Sequence, residues 1–170
     1  YGDHRDLHLS LRRQRQMCIR DRIYEFGEER FSRRIARRIV TRRKSQPIRT
    51  ARELAELVRA CVPRSKKNTI DPATRTFQAL RIYVNNELDR LEKALQILPQ
   101  CLLPGGTLAI ISFHSLEDRK VKQAFREHPQ LEIITKKPIV PTTAEQDSNP
   151  RSRSAKLRVA RRRTDDDSVG

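Results

Sequence analysis

Apolar residues from Ile23 onward recur with a helical period. Phe31, Ile35 and Ile39 are spaced by four, with Ala36 and Val40 beside them, which predicts an amphipathic helix from Arg30 to Lys44. Gln46-Pro47 ends it. Thr50 then precedes a second stripe of Leu54, Leu57, Val58 and Cys61, and Glu53 stands where a capping box needs it. Pro63 closes that helix. Arg64 to Ile70 reads as a polar, basic connection. Asp71-Pro72 starts the next helix, with Asp at the N-cap and Pro at the first helical position. Phe77, Leu80, Val84, Leu88, Leu91, Leu95 and Leu98 keep a spacing of three or four, which predicts one long helix ending near Pro99.

After the turn Pro104-Gly105-Gly106 the period changes. Leu108-Ala109-Ile110-Ile111 is a continuous apolar run, predicted as a strand buried on both faces, as parallel strands are. Ser115 is the predicted cap of a helix from Leu116 to about Glu127, with Asp118 at the capping-box position and Val121 and Phe125 inward. Leu131 to Ile134 is a second strand candidate. A Pro-containing loop follows from Pro138 to Pro150, and the alternation of Ala155 to Ala160 predicts a third strand. Helix, strand, helix, strand, strand is the closing section of an open α/β sheet. Thr164 to Gly170 is acidic and uncapped, with disorder expected.

Residues 1–22 show no sustained period. The chain opens on Tyr1 rather than Met, and the expectation is that its true beginning lies further upstream. Six arginines (Arg5, Arg12, Arg13, Arg15, Arg20 and Arg22) sit there among polar residues. One reading is a basic RNA-binding arm. The other, preferred here, is that the stretch is foreign or disordered, because Met17 to Arg22 resembles translated sequencing-adaptor sequence.

Charge narrows the partners. Lys and Arg number 37 against 21 Asp and Glu, a net +16 over 170 residues, which favours a polyanion. No apolar run approaches the roughly 20 residues that span a bilayer, so nucleic acid is preferred to membrane. Eight basic residues lie between Arg30 and Lys44 with no acid among them; they form either a solvated surface or a phosphate-contacting one. Cys18, Cys61 and Cys101 form no CxxC pair and no zinc-spaced cluster. They fit a reducing cytoplasm, with Cys61 and Cys101 as small apolar fillers and no structural metal indicated.

In open α/β sheets ligands sit beyond the carboxyl ends of the strands. Ser112-Phe113-His114-Ser115-Leu116-Glu117-Asp118-Arg119 falls there. The segment reads as a substrate edge, or else as structure alone: Ser115 capping, Phe113 packing, Asp118 and Arg119 pairing.

Four blocks occur in order: Gly27-Glu28-Glu29-Arg30-Phe31 with Arg34-Ile35-Ala36; Pro72 to Ile82; Ile110 to Arg119; and Asn149 to Arg158. Together, over Ile23 to Arg163, they resemble the ribosomal small-subunit RNA (cytosine-N4) methyltransferase H family, also called MraW. The resemblance implies the C-terminal part of a Rossmann-like class I methyltransferase sheet, over 71–163, and part of a helical insertion domain, over 23–70. It implies methyl transfer from S-adenosylmethionine to the N4 amine of a cytidine in small-subunit (16S) ribosomal RNA, with that RNA or the small subunit as partner. Asp71 stands where the family carries His, and residues 1–22 match nothing in it.

The family's Gly-rich cofactor loop has no counterpart among Gly2, Gly27, Gly105, Gly106 and Gly170. Cofactor-binding residues are therefore expected upstream, and this chain alone is expected to be inactive. The candidates that remain face the substrate. His114 is the candidate catalytic residue, as acceptor of a hydrogen bond from the amine, and Phe113 would stack an extruded base. Ser112, Phe113, His114, Arg75, Arg81, Arg151 and Arg153 are the candidate RNA-binding residues, the arginines through phosphate. The alternatives are a non-catalytic basic RNA-binding module and, less favoured, a DNA-binding protein acting through Arg30–Lys44.

Overall fold

The computed structural model describes residues 17–63 and 70–164. The expectations for residues 1–16, for most of the 64–70 connection and for the acidic tail beyond Thr164 lie outside the described residues. The chain divides into two compact units, Tyr1–Asn86 and Glu87–Gly170.

The first unit is helical. Residues 17–27 form α1, followed by α2 (Ser32–Ser45), α3 (Ala51–Cys61) and α4 (Thr74–Asn85). Residues 17–22, expected to be foreign or disordered, are helical, and several of their side chains are engaged. Ile19 packs against the core formed by Ile23, Ile35, Ile39, Ala55, Val58, Cys61 and Ala73. The Arg22 guanidinium lies 3.9 Å from the Tyr83 ring centroid. Thr50 caps α3 through the full capping box with Glu53. α1 and α4 approach closely at Gly27, where a Cβ would lie 2.5 Å from the Arg75 carbonyl oxygen.

Two predictions for α4 are corrected. Asp71 closes a turn rather than forming the N-cap: its carboxylate accepts from the Ala73 N–H at 2.8 Å and its carbonyl from Thr74. The helix therefore begins at Thr74. The buried stripe is Thr76, Ala79 and Ile82, one or two positions ahead of the larger Phe77, Leu80 and Val84. Nor does the helix run on to Pro99. Asn86 adopts φ 53°, a left-handed conformation, and its N–H caps the Ile82 and Tyr83 carbonyls. Asn tolerates this region better than other non-glycine residues.

In the second unit α5 (Glu87–Ile97) leads through the 3-10 turn Leu98–Cys101 to β1 (Thr107–Ser112). Then come α6 (Ser115–Glu127), β2 (Leu131–Ile133), α7 (Thr143–Ser148), a 3-10 turn at Pro150–Ser154 and β3 (Lys156–Arg162). The loop predicted between Pro138 and Pro150 thus contains a helical turn, capped by Thr142. Cys101, expected as a filler, is exposed.

The strand order is β1-β3-β2, and β3 is antiparallel to both neighbours. β1 is consequently not the doubly buried parallel strand its composition suggests. It lies at an edge of the described sheet, with Leu108 and Ser112 buried and Ala109 and Ile111 exposed. β1 and β2, each antiparallel to β3, run in the same direction, with α6 as the connection between them. Leu95, Leu108, Val121, Phe125, Leu131 and Ala160 form the core beneath α6.

Candidate functional site

The C-terminal end of β1 passes directly into α6, and the turn between them is fixed by one carboxylate. Glu117 Oε2 accepts from the Phe113 N–H at 2.8 Å and from the His114 N–H at 3.3 Å. In return the Glu117 N–H donates to His114 Nδ1 at 3.3 Å. This reciprocal pair is a capping box with His114 as N-cap. The cap lies one residue earlier than predicted: His114 has extended backbone angles, φ −141° and ψ 165°, whereas Ser115 is already in the helix.

The box decides what each neighbour presents. Ser112 is buried at 2% exposure, and its hydroxyl donates to the Lys156 carbonyl at 3.4 Å. Phe113 is 52% exposed, its backbone held and its ring outward. The His114 side chain is 7% exposed. Because Nδ1 accepts from the helix, the neutral ring carries its proton on Nε2. That atom lies 3.2 Å from Glu117 Oε1, too poorly aligned for a hydrogen bond. The acceptor nitrogen expected to meet the substrate is thus spent on the helix.

Glu87, His114 and Glu117 bring their donor atoms within 4.8 Å of one another, the spacing of a metal site. The tautomer argues against one, since Nε2 faces the carboxylates as an N–H and not as a lone pair. Burial pushes the Glu117 carboxyl up, but the adjacent His114 ring and the backbone N–H groups of Phe113 and His114 outweigh it and leave it below its ordinary value.

Below the turn lies an ion pair the sequence did not disclose. Arg158 Nε donates to Asp118 Oδ1 at 2.7 Å and Nη2 to Oδ2 at 3.2 Å. Lys156 reaches the same carboxylate at 3.5 Å. Asp118 pairs with β3, then, and not with Arg119 as the structural reading of this segment supposed. The Arg158 hydrogen bond, opposed by burial, holds the Asp118 carboxyl below its usual range. The signal available in sequence was an acid in the first turn of α6 and a basic residue within an alternating strand.

Arg151 and Arg153 flank the buried Ser152 in the turn Pro150–Ser154, and both are exposed. That turn enters β3 at Lys156, the register partner of Ser112. The two arginines therefore sit at the same end of the sheet as Phe113. Neither makes a hydrogen bond or ion pair with another described residue. Arg75 and Arg81 belong to the first unit: Arg75 Nη1 donates to the Glu28 carbonyl at 3.2 Å, and Arg81 is exposed and engaged.

Residues 10–163 match the model of the MraW methylase family. The match takes in residues 10–22, which the sequence alone sets apart. The chain is 58% identical over 156 residues to the ribosomal RNA small subunit methyltransferase H of Rhodopirellula baltica, covering 91% of this chain and 48% of that protein. It is 56% identical over 144 residues to the protein of the same name from Cyanothece sp., covering 85% and 48%. With that of Synechococcus elongatus the figures are 58% over 141 residues, 82% and 47%. The chain spans about half the length of these relatives.

Proposed function

The chain belongs to the MraW methylase family, and from that premise we propose that it forms the RNA-facing part of an S-adenosylmethionine-dependent enzyme that methylates a cytidine N4 amine in small-subunit ribosomal RNA. The observation that carries the proposal is the β1–α6 turn. An aromatic ring is held outward there, between two buried polar residues, at a strand end flanked by two exposed arginines. Phe113 stacks the extruded base, because a ring fixed through its own backbone loses little freedom on binding. Arg151 and Arg153 take phosphate. His114 and Glu117 are positioning residues that fix the angle at which Phe113 meets the base.

The three strands in this proposal are the closing edge of a larger Rossmann-like sheet, and α2 and α3 are part of an insertion domain. In support, β1 has one edge unpaired among the described residues, and Ile111 beside it is 58% exposed. No cofactor cradle fits among the described residues. Gly27 is packed under Arg75, and Gly105 and Gly106 close a turn onto Arg162. The methyl donor is accordingly assigned to the part of the relatives that this chain does not span, and no step is derived through it.

The test is single-turnover methylation by a chimera that joins the upstream part of the Rhodopirellula baltica relative to this chain. Phe113→Ala should lower the rate at saturating RNA by about tenfold or more, because a base stacked on an aromatic ring is worth roughly 1–3 kcal/mol. Phe113→Tyr should retain the rate. Equal rates for Phe113→Ala and the parent chimera would remove Phe113 from the site.

A further inference from the structure

The basic face of α2 carries charge that the fold itself does not use. Several guanidinium groups elsewhere face a carboxylate: Arg52 faces Glu56, Arg59 faces Asp71, Arg158 faces Asp118 and Arg161 faces Glu132. Arg34, Arg37 and Arg38 are different. With Thr41 of α2, and with Ala60 and Cys61 of α3, they line one recess of about 420 Å³ in the first unit. None of the three makes a hydrogen bond or ion pair with another described residue. The sequence places no Asp or Glu between Glu29 and Glu53, or between Glu56 and Asp71.

Nor does the recess supply its own anion. Burial pushes the Cys61 thiol up, and the charges of Arg34 and Arg38 oppose this only in part. The sulfur stays a neutral thiol, and the guanidinium charges reach it without compensation. Like charges one helical turn apart, as at Arg34 and Arg38, disfavour a helix, and an anion between them would relieve that repulsion.

We propose that the recess between α2 and α3 is a phosphate-binding site for the backbone of the substrate RNA. Guanidinium forks bind phosphate oxygens bidentately, which ammonium groups do not. The Thr41 hydroxyl adds a neutral donor, and Ala60 and Cys61 give an apolar floor on which a ribose can rest. Three forks converging on one recess suit a phosphodiester better than the spaced carboxylates of an acidic peptide. The site rests on the RNA-directed function proposed above for its source of phosphate, but it uses none of the residues around Phe113.

Two measurements test it. In binding of a single-stranded oligoribonucleotide to the chain over a salt series, Arg34→Ala/Arg38→Ala should weaken affinity about tenfold and flatten the log–log salt slope by about 0.7 for each phosphate left without its guanidinium. Arg43→Ala/Lys44→Ala removes the same charge from the same helix outside the recess and should change both much less. Thr41→Glu should reproduce the first variant with an unchanged circular dichroism spectrum. Equal effects of the two double variants would replace a site with a diffuse field and overturn the proposal. Inorganic phosphate, titrated against labelled chain, should shift the Thr41 amide and the Arg34 and Arg38 Nε–H resonances and leave those of Arg43 unmoved. This second readout is independent of RNA. A parent chain that binds RNA without salt dependence would sink the RNA-directed function, while the phosphate titration still decides the recess. Unmoved resonances at Thr41, Arg34 and Arg38 would overturn it.

Discussion

At His114 the two ring nitrogens have different duties, and a pair of substitutions separates them. His114→Ala removes the N-cap acceptor and should cost about 1 kcal/mol, lowering the melting temperature of the chain and the single-turnover rate of the chimera. His114→Asn restores a capping oxygen and should recover both. A variant that recovers stability but not rate would show that the ring itself touches the base. Asp118 is the more costly residue to lose. Asp118→Asn leaves Arg158, 6% exposed, without its counter-charge, at a cost of roughly 3 kcal/mol in urea unfolding. Because the folded state holds this carboxyl below its ordinary value, the pair's contribution is complete above the unfolded pKa of about 3.9 and is lost as pH falls through the folded value. The stability difference between parent and Asp118→Asn should therefore be constant near neutrality and close below about pH 4. Ser112 and Phe113 were legible because a strand end ahead of a helix start is a recognisable place. Arg158 was not, since alternation along β3 defines two faces without saying which one the core takes.

At the scale of elements, caps and stripes behaved unequally. The Thr50–Glu53 capping box was readable because both of its residues are local. The α4–α5 break was hidden, because Leu88, Leu91 and Leu95 continue the spacing of Phe77, Leu80 and Val84 across Asn86. Only the paired asparagines Asn85-Asn86 mark the place. Asn86→Gly should be tolerated at φ 53°, whereas Asn86→Val should cost about 1–2 kcal/mol, read as a lower urea midpoint. The close approach of α1 and α4 yields a second test. Gly27→Ala would gain up to about 1 kcal/mol in helix propensity, but its Cβ meets backbone at 2.5 Å, and overpacking of this kind costs roughly 1–3 kcal/mol. The clash should win, and a more stable Gly27→Ala chain would contradict the close approach. The half-exposed edge position of β1 was beyond the sequence for a different reason. A short apolar run specifies burial, and its partner strand β3 begins only at Lys156, far along the chain.

Over the whole molecule, charge and chain length carry the functional account. A net +16 predicts salt-sensitive RNA binding by the chain as it stands; with the methyl donor assigned to the part of the relatives not spanned here, calorimetric titration should show no measurable binding of S-adenosylmethionine. Among the described residues no helix is long and apolar enough to cross a membrane. Ile111, Ile139 and Val140 leave apolar surface exposed on the second unit. The family was legible in four short blocks. These residues are proposed to present a cytidine of small-subunit RNA for methylation. To test this, the chimera is supplied with isotopically labelled S-adenosylmethionine and unmodified small-subunit RNA, and the label is located by nucleoside mass spectrometry. The account predicts label on the N4 amine of a cytidine. A folded chimera that leaves that amine unlabelled, beside an active Rhodopirellula baltica relative that labels it, would contradict the account.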